Sequence, residues 1–104
     1  MSAIMVYVTA GGRDEATKLA HAVIDERLAA CVNILPEITA VFRWEGAVSE
    51  GAETAMIMKS TGALLPKLTA RIKELHSYDC PCVVAIPIEG GNKAFIKWIA
   101  DETA

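Results

Sequence analysis

Residues 31–60 read CVNILPEITAVFRWEGAVSEGAETAMIMKS. Two patterns in this stretch decide the architecture. Cys31 to Leu35 is a short apolar strand checked at Pro36, and Ile38 to Trp44 resumes it. Over that second half Ile38, Ala40, Phe42 and Trp44 share one face, and Thr39, Val41 and Arg43 share the other, the two-residue repeat of a β-strand. Pro36 cannot donate to a ladder, so it marks a bulge or an edge. Glu45 to Gly51 contains two glycines and reads as a hairpin loop. Glu53 to Ser60 returns, with Thr54, Met56 and Met58 facing one way and Ala55, Ile57 and Lys59 the other.

Outward from this hairpin the period alternates between 2 and 3.6. Ile4 to Thr9 (IMVYVT) is apolar on both sides, as a central strand must be. Gly11-Gly12 ends it, and Asp14 is placed to cap the next helix. There Ala16, Leu19, Ala20, Val23, Ile24 and Leu28 recur at helical spacing, while Lys18, His21, Asp25 and Arg27 lie mostly off the stripe. A second helix starts after Thr61-Gly62 and tolerates Pro66 in its first turn. Its stripe is Leu65, Leu68, Ile72 and Leu75. Val83 to Ile88 is a fourth, strongly apolar strand. Gly90-Gly91 breaks it, and Asn92 can cap a last helix with Phe95, Trp98 and Ile99 on one face.

The order is βαββαβ plus a helix, an α+β arrangement of two split βαβ units. It predicts a ferredoxin-like four-stranded antiparallel sheet with two helices on one face. The strands are apolar on both sides, so the second face needs a cover. Self-association supplies one.

The chain of 104 residues suits a single domain over residues 1–104. It is 53% hydrophobic and 22% charged, with a mean hydropathy of +0.33, which excludes a disordered class. No apolar run approaches the ~18 residues of a membrane span, so no membrane role is expected. The start lacks the basic and small-residue signals of a secretory leader, and the expected location is cytoplasmic. The net charge of −3 is spread along the chain. With no basic stripe to neutralise phosphates, nucleic acid is not expected as a partner. Three cysteines, an odd number, argue against a disulfide framework.

Several spaced motifs carry a resemblance. They are Phe42-Arg43-Trp44-Glu45-Gly46, then Glu53, Lys59 and Thr61, then His76-Ser77-Tyr78-Asp79-Cys80-Pro81, and finally Ala94 to Ile99 (AFIKWI). Leu28 to Ile34 (LAACVNI) joins the first helix to the second strand. In this order, over nearly the whole chain, the set resembles the CutA divalent-cation tolerance family. The resemblance implies a ferredoxin-like protomer with a fold shared with PII-type signalling proteins. It also implies a cytoplasmic homotrimer in which hairpin strands pair across subunits, and a link to copper or another divalent cation. This chain departs from the family's proposed copper ligands. Val8 stands in place of a cysteine, Leu75-His76 in place of two histidines, and Cys82 in an acidic position. Only His76 carries over directly.

Two residue groups carry candidate chemistry. His76, Cys80 and Cys82 form a soft donor set suited to Cu(I) or Zn(II), completed by Asp79, water or another subunit. The same residues also suit a helix-ending loop in which His76 bonds backbone and the cysteines pack as small apolar groups. The one-residue gap between the cysteines does not match the C-x-x-C spacing of redox pairs. Trp44, Tyr78 and Trp98 with Glu53 and Lys59 suit either a ligand cleft or a subunit interface in which Glu53 and Lys59 pair across strands. His21 reads as a surface histidine and Cys31 as a buried thiol.

No G-x-S-x-G, Walker loop or H-E-x-x-H occurs, so an enzyme is not expected. The first loop also lacks the M-x-C-x-x-C of metallochaperone domains. No Asn lies in residues 41–60 where an acylphosphatase needs one. Three expectations stand: a trimeric metal-binding or signalling module, a PII-like small-ligand sensor at the subunit interface, and a structural trimer serving an attached protein partner.

Overall fold

The computed structural model describes residues 2–104; Met1, the first residue of the expected domain, lies outside the described residues. The elements are β1 (Ala3–Ala10), α1 (Arg13–Asp25), β2 (Cys31–Trp44), β3 (Ala47–Thr61), a 3-10 turn (Gly62–Leu64), α2 (Leu65–Leu75), β4 (Val83–Pro87) and α3 (Lys93–Glu102). The sheet order is β2-β3-β1-β4, with every neighbouring pair antiparallel. This is the expected ferredoxin-like arrangement with an added C-terminal helix.

One face of the sheet carries Ile4, Val6 and Val8 of β1 and Met56 and Met58 of β3, all buried. They pack with Ala16, Leu19 and Val23 of α1 and Leu68 and Ile72 of α2 in one core. The helical stripes therefore point where their spacing indicates, except at their ends. Ile24 and Leu75, each in the last turn of its helix, are exposed.

Three local expectations are corrected. The hairpin loop is not Glu45–Gly51 but the two residues Glu45 and Gly46, with φ of 49° and 80°. Two central residues at positive φ are what a type I′ turn requires, and its twist matches the strands it joins. Ala47 pairs with Trp44, and the ladder runs on through Gly51 opposite Ala40. Asp14 does not cap α1. Gly12 holds the N-cap position in an extended conformation without a side-chain bond, and Asp14 lies in the first turn, where its charge favours the helix dipole. Glu53 and Lys59 are not cross-strand partners. Both belong to β3, six residues and about 20 Å apart.

Pro36 sits in a bulge. The β2–β3 register shifts between Leu35 and Ile38, and Thr54 Oγ1 donates to the freed Pro36 carbonyl at 2.8 Å. Asn92 caps α3 by accepting from the Ala94 amide at 3.0 Å.

Alternation places Met5 and Tyr7, Cys31, Asn33 and Leu35, Ala55, Ile57 and Lys59, and Val84 and Ile86 on the second face. α3 packs against β1 and β3 at the Ala3–Thr61 end of this face, burying Ile99. Of the rest, Ala55 is buried, Met5, Tyr7 and Ile57 are half-buried, and Leu35, Val84 and Ile86 are exposed, the last two more than half. Beyond the body, the β2–β3 ribbon exposes Val41 (66%), Phe42, Trp44 (55%) and Val48. It contributes to a longest dimension of 44 Å in a molecule 25 × 23 Å across.

Candidate functional site

The loops at the C-terminal end of β1 gather most of the titratable chemistry. Gly11-Gly12 turns the chain into α1 and puts Glu15 three residues past the N-cap. Glu15 reaches back, and its Oε1 accepts from the Gly11 amide at 3.0 Å. This resembles the backward reach of a capping box. Its Oε2 accepts from the Ser77 amide at 2.8 Å, which ties the start of α1 to the exit of α2. Burial alone raises the Glu15 carboxyl, but the bonds from Gly11 and Ser77 outweigh it and hold the group below its ordinary 4.5.

His76 ends α2 and is buried. Its Nε2–H donates to the Thr9 carbonyl at 2.7 Å. A carbonyl can only accept, so that nitrogen carries the proton. Nδ1 then accepts from the Tyr78 amide at 3.0 Å, with Glu15 Oε2 3.8 Å away. Both ring nitrogens are thus committed to holding the 76–78 loop on β1. The Tyr78 ring packs against the imidazole at 4.7 Å between centroids. Its hydroxyl donates to Glu53 Oε2 at 3.0 Å. Burial, and then that bond and the charge of Glu53, push the Tyr78 phenol up to about 12. Cys82 lies beside the same group. Its Sγ is 4.0 Å from the Tyr7 carbonyl, and burial, followed by the charge of Glu53, raises its thiol.

The expected residues are therefore divided. Glu53, Tyr78, His76 and Cys82 come together. Cys80 is exposed, and Cys31, Cys80 and Cys82 all stand free. Trp44 sits at the hairpin tip, six residues along β2 from Ile38, which is the partner of Glu53. Lys59 Nζ donates to Asn33 Oδ1, down the sheet from Glu53. Trp98 stacks on Phe95 at 5.3 Å on α3. A single chain thus does not assemble the five-residue cleft. Nor does it assemble a metal centre from His76, Cys80 and Cys82. No group of three or more His, Cys, Asp or Glu able to hold a metal ion occurs among the described residues, and His76 has no free lone pair to offer. The reading of His76 as a backbone-bonding loop residue accounts for its geometry. Glu15 escaped the sequence reading; its signal was a glutamate three residues beyond the Gly11-Gly12 turn.

The family model for the CutA1 divalent ion tolerance protein matches residues 4–102. The chain is 45% identical over 100 residues to the chloroplastic protein CutA 1 of Oryza sativa subsp. japonica, covering 96% of this chain and 56% of that protein. It is 41% identical over 99 residues to the divalent-cation tolerance protein CutA of Thermus thermophilus, covering 95% and 96% respectively. The chain thus spans about half the length of the plant relative and nearly all of the bacterial one. The crystal structure of CutA1 from Oryza sativa superposes with a TM-score of 0.97 at 43% identity, covering all of this chain and 95% of that one. Motif set and fold agree with this match, and the chain belongs to the CutA1 divalent ion tolerance family.

Proposed function

We propose that this protein works as a non-catalytic cytoplasmic homotrimer in divalent-cation tolerance, with its binding site completed between subunits. The observation that carries the reading is the open second face of the sheet. Tyr7, Ile57, Val84 and Ile86 line it, and the ribbon of Val41, Phe42, Trp44 and Val48 projects beyond the body. Apolar surface on this scale is expected at contacts between chains. β2 and β4 are the sheet's outer strands, and pairing across subunits would satisfy their free backbone groups. Closed rotational symmetry would cover every copy in the same way.

The donors of one chain do not fit a resident metal ion. His76 is fully bonded, both Glu15 oxygens take backbone amides, and one Glu53 oxygen takes the Tyr78 hydroxyl. Copper or another divalent cation would need donors from a second copy beside Glu53 and Cys82. The three free cysteines suit a reducing compartment. Among the described residues, no helix is long and apolar enough to cross a membrane.

A second reading, a PII-like sensor of a small ligand, is favoured by the Glu53–Tyr78 pair on the second face. Equilibrium dialysis against Cu(II), Cu(I) and Zn(II) on the trimer separates the readings, together with a thermal-shift screen of nucleotides and metabolites. A ligand that binds only the folded form raises its stability. Uptake of a cation that is lost in Glu53→Gln supports the first reading. Stabilisation by a metabolite without cation uptake supports the second.

A further inference from the structure

Arg27 breaks a local rule. α1 ends in a Schellman motif: the Arg27 amide donates to the Ile24 carbonyl at 3.0 Å, and the Leu28 amide to the Val23 carbonyl at 2.9 Å. The residue just past the cap of such a motif takes the left-handed conformation and is usually glycine. Here it is Arg27, with φ of 59°. A side chain kept where a Cβ is costly calls for a use elsewhere.

That use is at the C-terminal end of α3. Arg27 Nη2 donates to the Asp101 carbonyl at 2.9 Å, and Nε to the Glu102 carbonyl at 3.2 Å. In return the Arg27 carbonyl accepts from the Ala104 amide at 3.1 Å. The last carbonyls of a helix lack partners within it and favour a cation. α3 has no basic residue in its last turn, so Arg27 supplies one from 74 positions away. Little else holds this helix. Ile99 is its one buried side chain, while Phe95 and Trp98 stay exposed. A hollow of about 270 Å³ remains between α3 and the Ala3–Thr61 end of the sheet. The ion pair of Lys97 with Asp101 is internal to α3. Among the described residues, every hydrogen bond from residues 92–104 to the rest of the chain ends on Arg27.

We propose that α3 is a strap that lifts off the sheet as a unit, and that Arg27 is the clasp that holds it down. A segment with few buried apolar contacts opens locally while the sheet stays folded. Lifting uncovers Ile99 and the Ala3–Thr61 end of the second face, so the clasp sets how often that end is open. The device stands apart from the cluster around His76 and needs no cation.

The test is amide hydrogen exchange on the protein as it assembles in solution, comparing wild type, Arg27→Gly and Arg27→Lys at one protein concentration. In wild type the amides of residues 97–102 should exchange at least about tenfold faster than those of Val6 and Met58 in the sheet core. Arg27→Gly removes the guanidinium, and α3 exchange should rise about tenfold further. Glycine also relieves the left-handed corner, which offsets the lost clasp for whole-chain unfolding, so rates at Val6 and Met58 should stay within about threefold. Arg27→Lys keeps the charge but loses the two-pronged grip, and its α3 rates should fall between the other two. Equal exchange of α3 and the sheet core in wild type, or α3 rates unmoved in Arg27→Gly, would overturn the proposal. The wild-type comparison decides the matter even if a variant misfolds.

Discussion

Replacing His76 with alanine tests whether this residue holds the fold or a ligand. The substitution removes the donor to the Thr9 carbonyl and the acceptor for the Tyr78 amide. Thr9 is 8% exposed, so its carbonyl finds little water and bears most of the penalty of an unmet buried group, about 1–3 kcal/mol. The Tyr78 amide is nearer solvent and adds about 1 kcal/mol as a lost hydrogen bond. Together they give a loss of about 3 kcal/mol. A domain of this size loses about 4–8 °C of Tm per kcal/mol, so Tm should fall by about 12–24 °C. Wild type and variant are compared by calorimetry at one protein concentration, because assembly makes Tm concentration-dependent. Dialysis against Cu(II) and Zn(II) at a temperature where both are folded should show equal uptake. A Tm within a few degrees of wild type, with cation uptake abolished, would refute the structural role given to His76.

Other outcomes follow from the same geometry. Glu15 has a folded value below its unfolded one; its contribution is therefore present above about pH 4.5 and lost as pH falls through the folded value. Glu15→Gln should accordingly show a shallower fall in Tm below pH 4.5 than wild type, measured by calorimetry across pH. Spectrophotometric titration at alkaline pH should find Tyr78 ionising near 12, and Glu53→Gln should bring that transition down. Thr61→Val removes a buried unpaired hydroxyl and should raise stability by about 1 kcal/mol, read by denaturant unfolding.

The architecture was legible because the hydrophobic period changes cleanly along the chain. Met56 and Met58 alternating with Ile57, and Leu68 and Ile72 one turn apart, point at partners they do meet. Pro36 announced its bulge, because a residue without an amide proton must interrupt a ladder. The hairpin was misjudged for a physical reason. Gly51 usually signals a turn, but in a two-stranded ribbon exposed on both sides a strand loses little by carrying glycine. The Glu45-Gly46 pair, able to take two positive φ values, is where the chain turns.

The site was less readable, because its contacts join residues distant in sequence. Glu15 meets Ser77, 62 positions away, and His76 meets Thr9, 67 positions away. No spacing rule reports such pairs. Trp44, Lys59 and Trp98 share polar or aromatic character with Glu53 and Tyr78, but strand length carries them apart. Composition could not show that the ribbon holds Trp44 about 20 Å from Glu53 within one chain.

The mass of the protein in solution bears most directly on the proposed assembly. Multi-angle light scattering down to sub-micromolar concentration should report three copies of the 11.1 kDa chain. A folded, soluble 11.1 kDa species over that range would mean that the face of Tyr7, Ile57, Val84 and Ile86 tolerates water, and the shared binding site would have to be abandoned.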